Sequence, residues 1–559
     1  MISQELIPLY KTLADVFGST EASLPQTQRW NELAQEFERR FGRKPTYIAR
    51  APGRVNLIGE HIDYALFGVL PAAIERDILI ACAPRPVPES ALAADVHHAP
   101  GSVVAENLHP KYKPQVFVPA LKAPQQVASQ NVNAEAWHLD INTKELRWES
   151  YVKAGYFGVL NHHFTDADEL PVPVDLLVTG SVPAGSGLSS SAAMVVASTL
   201  AFLAVNKKLS DYHRRLEKGT LVELAMINEK RVGVNSGGMD QAASVMSNPS
   251  SALYISFYPS LQASAVPLPS GAVFVCANSL VVADKAVGAK RGYNLRVVET
   301  LVGARILANS LKIPLGDTDK ITYREVAGRY AGCLQGEDVD INELEKVLLD
   351  LEGKLDVLKP SSAQDNQLGV TMEEMIRMSG LSKDAFHGVY LSWVEVEATH
   401  FQLYKRAKHV LSEARRVLQF RRSCLEAAET TVVHGDMSLL QTLGQLMNDS
   451  QKSCSELFEC SCPELNELTK IARDAGAYGS RLTGAGWGGC TVSLVAQDKV
   501  DDFIQKVKAS YTPYKNLEGD SLEEAIFATK PSRGACGEMF RGFNFSQRID
   551  QRIFVPYFA

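Results

Sequence analysis

A serine-rich segment of this 559-residue chain, residues 181–193, has the composition of a phosphate-binding turn, and we name it the serine turn. It reads SVPAGSGLSSSAA, and its small residues let a backbone wrap closely around an anion. Three consecutive serines, Ser189 to Ser191, come where an apolar helix begins, so backbone N–H groups and the positive end of the helix dipole converge there. The chain has no G-x-x-x-x-G-K-S/T motif, which excludes a P-loop. We therefore predict a phosphate site of another kind, with a serine-capped buried helix as the alternative.

A second segment, Gly53–Tyr64, reads GRVNLIGEHIDY and is named the charged loop. It places Arg54, Glu60, His61 and Asp63 on one short connection between two strand-like runs. Charged groups are costly to bury, so we expect this loop to face either solvent or a polar ligand. Its carboxylates can accept hydrogen bonds from sugar hydroxyls, and the histidine can both donate and accept. A charged surface turn is the alternative.

A third segment carries one acid at each end, Glu229 and Asp240. Glu229 comes at the end of a predicted helix, and Asp240 follows a glycine-bearing loop, so the two carboxylates can approach one site. One carboxylate could bind Mg²⁺ while the other accepts a hydroxyl proton, as phosphoryl transfer from ATP requires. The alternative for Asp240 is an aspartate that caps a turn.

A fourth segment, residues 484–489, reads GAGWGG and is named the glycine turn. It formally contains G-x-G-x-x-G, but the following residues, CTVSLV, predict a strand and not a helix. The context of a dinucleotide-binding motif is therefore missing, which disfavours a nicotinamide oxidoreductase. A tight hairpin turn that approaches a ligand closely fits the pattern better, with a plain structural turn as the alternative.

The charged loop, the serine turn and the glycine turn together resemble the three motifs of the GHMP small-molecule kinases. The string GRVNLIGEHxDY resembles the signature of the galactokinase family in particular, and the length of the chain is most similar to that of fungal members. Weaker similarity continues through Trp148–Lys153, Tyr293–Val298 and Leu446–Gln451. The resemblance thus covers most of the chain, except segments near 84–135 and 335–385 that look like insertions.

The resemblance implies the residues that act on the sugar. It implies that Asp240 lies against the C1 hydroxyl as a base or an orienting group, with Arg54 beside it as a second catalytic and sugar-binding residue. Arg54 would favour the charged form of that carboxylate and could offset charge on the transferred phosphoryl group. The other sugar-binding residues that it implies are Glu60, His61, Asp63, Gly238 and Tyr293.

The resemblance also implies two cofactors, ATP and Mg²⁺. It assigns the ATP phosphates to the serine turn, at Gly185, Ser186, Gly187, Leu188, Ser189, Ser190 and Ser191. It assigns the flanks of the adenine to Trp148 and Tyr151. Ser191 and Glu229 would hold Mg²⁺ directly or through water, and the glycine turn would close the site.

The fold that the resemblance implies is an α+β, two-lobed GHMP kinase fold. Residues 1–268 would form an N-terminal lobe like ribosomal S5 domain 2, and residues 269–559 a C-terminal ferredoxin-like lobe. The implied activity is ATP-dependent phosphorylation of D-galactose at C1, the first committed step of galactose catabolism. An N-acetylgalactosamine kinase is one alternative. The other alternative is a transcriptional co-inducer that depends on galactose and ATP, with a regulatory protein partner in a fungal galactose pathway. This role could stand alone or be combined with catalysis. The complete run of serines favours catalysis.

Composition limits the kinds of partner and the cellular compartment that we expect for this protein. The 57 Lys and Arg residues against 64 Asp and Glu residues give a net charge of −7, so nothing indicates a nucleic acid or an anionic membrane as a partner. The longest apolar run, 192–205, is too short to span a bilayer, and the first residues lack the pattern of a secretory signal. Nine cysteines without a framework spacing predict reduced thiols and hence a cytoplasmic protein.

Hydrophobic periodicity predicts the elements that must position these residues. Helices are predicted over the first forty residues and over residues 195–203, 221–231 and 394–420, the last one long, basic and amphipathic. Strands are predicted over residues 46–49, 68–83, 174–178 and 272–277. Residues 84–130 read as an insertion or a long loop, and the acidic residues 335–385 as an insertion of limited order.

Overall fold

The structure is a computed structural model, and its mixture of helices and strands confirms the predicted α+β class. Helices make up 47% and strands 19% of it. The residues that the structure describes are 2–88, 96–122, 135–143, 145, 147–165, 169–209, 216–233, 237–282, 288, 290–361, 368–429 and 437–539.

Seventeen strands lie within these ranges. In chain order they are β1 (Leu9–Tyr10), β2 (Tyr47–Ile58), β3 (Leu70–Pro84), β4 (Val103–Asn107), β5 (Gln115–Phe117), β6 (Ala120–Leu121), β7 (Trp137–His138), β8 (Val174–Gly180), β9 (Ser251–Ser256), β10 (Gln262–Pro267), β11 (Ala272–Asn278), β12 (Val370–Thr371), β13 (His400–Phe401), β14 (Gly479–Leu482), β15 (Cys490–Ala496), β16 (Ile526–Thr529) and β17 (Cys536–Met539).

Sixteen α-helices lie within the same ranges. They are α1 (Leu13–Phe17), α2 (Thr20–Phe41), α3 (Trp148–His163), α4 (Ser190–Val205), α5 (Lys218–Glu229), α6 (Met239–Met246), α7 (Tyr293–Ser310), α8 (Tyr323–Tyr330), α9 (Ile341–Glu352), α10 (Met372–Ser379), α11 (Lys383–Phe386), α12 (Leu403–Glu429), α13 (Met437–Ser453), α14 (Pro463–Asp474), α15 (Val500–Ser510) and α16 (Gly519–Ala525).

The largest sheet has seven strands in the order β1-β17-β2-β3-β8-β4-β5. Neighbouring residues of β3 point to opposite faces, so Leu79 packs with α2 while Ile80 packs in the cluster that contains α4. Helices therefore cover both faces of this sheet. The antiparallel pairing of β2 with β3 shifts register between Pro52 and Arg54 and again between Asn56 and Ile58. Such bulges redirect side chains, and here they fall where the charged loop begins.

A second sheet has four strands in the order β14-β15-β11-β16. It packs against α14, α15 and α16 through a separate apolar cluster that includes Leu468, Phe503 and Ala525. The glycine turn joins β14 to β15, which pair in an antiparallel hairpin. The predicted hairpin is therefore confirmed, and so is the strand that follows it.

Most predicted elements are confirmed. The N-terminal helices, the strands β3 and β8 and the helices α4 and α5 lie where periodicity places them. The strand β2 begins as predicted but continues to Ile58, so the first half of the charged loop is strand and not a connection. Helix α4 is buried along nearly its whole length after the first two residues, as its continuous apolar sequence predicts.

Three predictions about organisation need correction. Part of residues 84–130 is not a loop, because Val103–Asn107 pairs with both β8 and β5 in the main sheet. Limited order over 335–385 is wrong for the residues described, since Leu344, Leu348 and Leu351 form a buried stripe on α9 that packs against α12. The long basic helix begins at Leu403 and not at residue 394, because His400–Phe401 pairs with β12. Residues 89–95, 123–134 and 362–367 lie outside the described residues.

The predicted lobe boundary at residues 268 and 269 remains a prediction. It falls between β10 and β11, which belong to different sheets. The strand β17 nevertheless returns from the end of the chain and pairs with β2 in the first sheet. A single cut in the sequence therefore does not separate the two sheets.

The packing of α9 predicts that replacing one leucine destabilises the fold strongly, whereas replacing its neighbour does not. Leu348 is fully buried, whereas Leu349 is 57% exposed. We expect Leu348→Ala to lower the free energy of unfolding by about 2–4 kcal/mol, because it leaves a cavity between α9 and α12. Leu349→Ala is the matched control and should change it by less than about 0.5 kcal/mol. Denaturant unfolding of both variants measures this, and equal effects would contradict the packed segment.

Candidate active site

Arg54 joins three of the predicted motifs. Its Nε and Nη2 atoms lie 2.8 and 2.6 Å from Oδ1 of Asp240, and its Nη1 donates to the carbonyl oxygen of Gly187 at 2.6 Å. Its backbone N–H donates to the carbonyl oxygen of Leu188 at 3.1 Å. The Arg54 side chain is only 3% exposed, so both contacts are desolvated and geometrically fixed. The charged loop, the predicted catalytic acid and the serine turn therefore form one site.

A second carboxylate, Asp63, lies beside Asp240. Burial raises the pKa of Asp63 to about 6, and the nearby Asp240 charge adds to the increase, while backbone N–H groups of Tyr64 and Met239 oppose it. A side chain at residue 237 would overlap the Asp63 carboxylate, so only glycine fits there. Gly238 has φ +106° and precedes α6, which brings Asp240 into the first turn of that helix.

Glu60 is bound by groups from the other end of the chain. Its Oε2 accepts from Arg481 Nη1 at 2.9 Å and from Asn56 Nδ2 at 3.1 Å, and its Oε1 accepts from the Gly484 N–H at 3.1 Å. Burial raises the pKa of Glu60 to about 7, and the Arg481 charge opposes that increase. The carboxylate thus connects the charged loop to β14 and the glycine turn.

His61 is equally enclosed. Its Nε2 lies 2.9 Å from the Ala485 carbonyl oxygen, so this nitrogen donates, and Nδ1 accepts from the Tyr64 hydroxyl at 3.3 Å. Burial lowers the pKa of His61 to about 3, so the ring is neutral near pH 7. The expectation of a solvent-facing loop is therefore wrong for Glu60 and His61, because both are buried and the second sheet supplies partners for them; that they face a polar ligand stays a prediction. The alternative of a charged surface turn is wrong as well.

The serine turn and the glycine turn meet backbone to backbone. A Cβ added at Gly484 would lie 2.5 Å from the carbonyl oxygen of Gly187, and one at Gly489 would lie 2.7 Å from that of Ser186. The N–H of Cys490 donates to the same Ser186 oxygen at 2.8 Å. Glycines are required here because any side chain would separate the two turns. The predicted close approach of the glycine turn is thus directed at the serine turn.

Ser189 shapes the start of α4. It has φ +61°, in the left-handed region, and its buried Oγ has no hydrogen-bond partner within the described part of the chain. Ser190 and Ser191 follow it and are partly exposed. The first N–H groups of a helix have no partner within the helix, so this end offers hydrogen bonds to an anion.

Glu229, predicted to hold a metal, is buried at the end of α5. Its Oε2 accepts from Nε2 of Gln241 at 2.5 Å, which fixes the orientation of the carboxylate. In the portion of the chain that the structure covers, no group of three or more His, Cys, Asp or Glu side chains could hold a metal ion by itself. The pairing of Glu229 with Ser191 around Mg²⁺ therefore stays a prediction.

Three aromatic residues were predicted to bind the ligands. Tyr293, at the start of α7, is partly buried, and its ring centroid lies 5.6 Å from that of His61. Burial raises the pKa of Tyr293, and the Asp63 charge raises it further, which places the phenol beside that acid. Tyr151 lies on α3, and burial raises its pKa to about 12 with a further contribution from Glu229. Trp148 lies at the start of α3 with its ring 6.2 Å from that of Tyr112.

Sequence reasoning missed the residues that hold the charged loop in place. Arg481 on β14 is fully buried, and so are His409 and Glu413 on α12. Arg481 had only a weak signal, because its strand reads GSRL and is not apolar in sequence, although a buried arginine does require an acid as its partner. Glu413 had a weaker signal, since the basic helix that contains it also carries acids on its exposed faces.

Comparison with known proteins agrees with this geometry. Family models described as "GHMP kinases N terminal domain" and "GHMP kinases C terminal" match residues 150–248 and 433–512. Together with the converging turns, these matches define a GHMP kinase. A third model, "Galactokinase galactose-binding signature", matches residues 35–84. The chain belongs to the galactokinase family.

Curated relatives match along almost the whole chain. A galactokinase of Dictyostelium discoideum is 35% identical over 545 residues, covering 94% of this chain and 97% of the relative. A galactokinase of Saccharomyces cerevisiae is 34% identical over 545 residues, covering 93% and 97%. A solved structure of Lactococcus lactis galactokinase with galactose has a TM-score of 0.58 at 21% identity, covering 91% and 99%, and shows that the fold is shared. The resemblance and the two-lobed GHMP kinase fold are therefore confirmed.

Two findings bear on the environment of the protein. All nine cysteines are free, and seven of them are buried. Within the described ranges, no helix has both the length and the apolarity needed to cross a membrane.

The buried histidine behind the charged loop predicts a dependence of stability on pH. Nε2 of His409 donates to the Glu60 carbonyl oxygen at 3.0 Å, Nδ1 accepts from Ser453 Oγ at 2.8 Å, and burial lowers its pKa to about 4. Because the unfolded histidine titrates near pH 6.5, the unfolded state binds more protons below that pH. Acidification from pH 7 to pH 5 should therefore lower the free energy of unfolding by about 1–2 kcal/mol through protonation of this residue in the unfolded state.

The measurement is the melting temperature at both pH values in the parent and in His409→Gln. The glutamine can still donate to the Glu60 carbonyl but does not titrate, so the loss of stability on acidification should be smaller in this variant. An equal loss in both proteins would show that His409 is not kept neutral by the fold.

Proposed function

We propose that this protein transfers the γ-phosphoryl group of ATP to the C1 hydroxyl of D-galactose, giving galactose 1-phosphate and ADP. Membership of the galactokinase family supports this reaction, since the relatives compared above are named galactokinases. The observation that carries it is the pair of bonds from Arg54 to Asp240 and to the Gly187 carbonyl. This pair connects an acid suited to a sugar hydroxyl with the turn suited to phosphate.

Asp240 is the catalytic residue of the proposal. A sugar hydroxyl is a very weak acid, so a charged carboxylate must accept its proton or hold it in line with the phosphoryl group. Arg54 fixes the Asp240 carboxylate through two nitrogens that approach the same oxygen. In a loose transition state, proton transfer is late, and both roles of Asp240 remain consistent with this geometry.

The remaining sugar contacts are proposed for Asp63, Tyr293, Gly238, Glu60 and His61. Asp63 is next to Asp240 and close to Tyr293, so these groups can bind adjacent hydroxyls. Glu60 retains acceptor capacity on Oε1 beyond the bond from Gly484, because a carboxylate oxygen can accept more than one hydrogen bond.

The serine turn, from Gly185 to Ser191, is proposed to bind the ATP phosphates, with Trp148 and Tyr151 beside the adenine. The buried Oγ of Ser189, which has no partner within the described residues, fits an anion at the start of α4. Ser191 and Glu229 would hold Mg²⁺, because a hydroxyl and one carboxylate together with phosphate oxygens form a typical donor set for this ion. When bound, the ion would offset negative charge on the phosphates.

A cytoplasmic location is a further part of the proposal, and a regulatory protein partner in a fungal galactose pathway stays a prediction. The nine free cysteines support a reducing compartment. Catalysis, and not a role as a silent co-inducer, is favoured by the complete run of serines at the start of α4.

Release of ADP tests the substrate directly. The purified protein is incubated with ATP and Mg²⁺ together with galactose, N-acetylgalactosamine or glucose, and ADP is followed in each case. We expect release with galactose and a kcat/KM at least about tenfold lower with the other two sugars. Release only with N-acetylgalactosamine would replace the proposed substrate. Binding of galactose without any release would favour the co-inducer.

Replacement of the catalytic acid tests the mechanism. Asp240→Ala and the isosteric Asp240→Asn should lower kcat by about 10²–10⁴-fold, because neither side chain can accept the proton. Galactose binding, measured by calorimetry, should remain within about tenfold of the parent, since Asp63 and Tyr293 are unchanged.

Asp474→Ala removes an acid that is 63% exposed on α14 and serves as the control, with parent-like kcat. A kcat near that of the parent in both Asp240 variants would refute the assignment.

A further inference from the structure

One face of helix α12 holds the backbone of the charged loop. His409, Glu413 and Val417 follow at intervals of four residues, which places them on the same side of the helix. His409 donates to the Glu60 carbonyl at 3.0 Å, and Glu413 Oε1 accepts from the N–H groups of Gly59 at 2.9 Å and Glu60 at 3.4 Å. One peptide segment is thus bound on both its donor and its acceptor groups.

Gly59 lies directly against this face. It has φ +109°, and a Cβ there would be 3.0 Å from Val417 Cγ2. The loop turns at this glycine immediately before Glu60, His61 and Asp63, so the direction of the turn sets where the three side chains point.

The Glu413 carboxylate is itself fixed by hydrogen bonds from neighbouring side chains. Its Oε2 accepts from Nε of Arg416 at 2.8 Å, and its Oε1 also accepts from Ser450 Oγ at 2.6 Å. Arg481, the partner of Glu60, lies 3.9 Å from Glu413 Oε1 and donates from Nε to Ser450 at 3.0 Å. The carboxylate is fully buried, and the Arg416 and Arg481 charges lower the pKa of Glu413 to about 2 in spite of burial. It therefore stays charged over the working range of pH.

We propose that Glu413 is a positioning residue, which orients the charged loop for sugar binding through the backbone N–H groups of Gly59 and Glu60. The inference rests on the proposed galactose site and adds a residue that lies outside it. A charged acceptor binds two neighbouring N–H groups more strongly than a neutral one, so the charge of Glu413 fixes the loop before the sugar arrives. The serine turn is bound through Arg54 and not through α12, so the nucleotide side should be unaffected.

The test is Glu413→Gln in the full chain, which keeps the size of the side chain and removes its charge. We expect the KM for galactose to rise about tenfold or more, while kcat and the KM for ATP stay within about threefold. Amide hydrogen exchange should become faster in residues 57–66 without added ligand, because the two N–H groups lose their charged acceptor.

The matched control is Glu352→Gln, which removes the charge of another carboxylate. The Glu352 side chain is 8% exposed and pairs with Lys408 and Arg415 on another face of α12. It should leave both KM values and the exchange of residues 57–66 at parent levels. Equal increases in the two KM values, or parent-like exchange in Glu413→Gln, would overturn the proposal.

A milder variant covers the case in which Glu413→Gln does not fold. Ser450→Ala removes one donor to Glu413 and keeps every charge, and we expect a rise of about threefold in the KM for galactose with faster exchange in residues 57–66. Parent-like values of both quantities would overturn the proposal. If the parent itself releases no ADP with galactose, the proposed function fails, whereas the exchange measurement still decides the role of Glu413.

Discussion

The site depends on the guanidinium group of Arg54, which bonds Asp240 on one side and the serine turn on the other. These partners are far apart in the chain, since Arg54 and Asp240 are separated by 186 positions. A planar fork with donors in fixed directions can satisfy a carboxylate and a carbonyl at once, which an ammonium group would do less rigidly. Because the group is almost fully buried, loss of the Asp240 carboxylate would leave the guanidinium charge without compensation. The Arg54 side chain thereby sets the distance between Asp240 and the serine turn.

A second constraint comes from the buried charges behind the charged loop. Glu60, Glu413 and Arg481 are all fully or nearly fully buried, and each is bound by at least one of the others or by a common serine. Such a cluster is stable only when all of its members are present, so the two sheets must be assembled together for the loop to take its shape. The glycine turn adds backbone contacts at the same junction.

Local pattern was enough to predict the elements and the segments that carry chemistry. The apolar run of α4, the strand after the glycine turn and the acids at residues 229 and 240 were readable because their signals are contained within a few residues. The partners of the charged loop were not readable in this way. Glu60 and Arg481 are 421 residues apart, and Gly59 and Glu413 are 354 apart, so no periodicity connects them. The helix α9 was missed for another reason, since acids between its leucines concealed a regular apolar stripe.

The position of β17 has a consequence for the order in which the chain can assemble. This strand lies between β1 and β2, although it comes from residues 536–539. While the ribosome is still making the chain, the edge of β2 has no neighbour on that side, and the Arg50 guanidinium lacks the Arg533 carbonyl and the Ser532 hydroxyl that it bonds in the finished fold. An open edge with unpaired backbone groups favours pairing with other chains. The N-terminal sheet is therefore completed only after residues 536–539 have been made, and a nascent chain that stalls before them exposes the unpaired edge of β2.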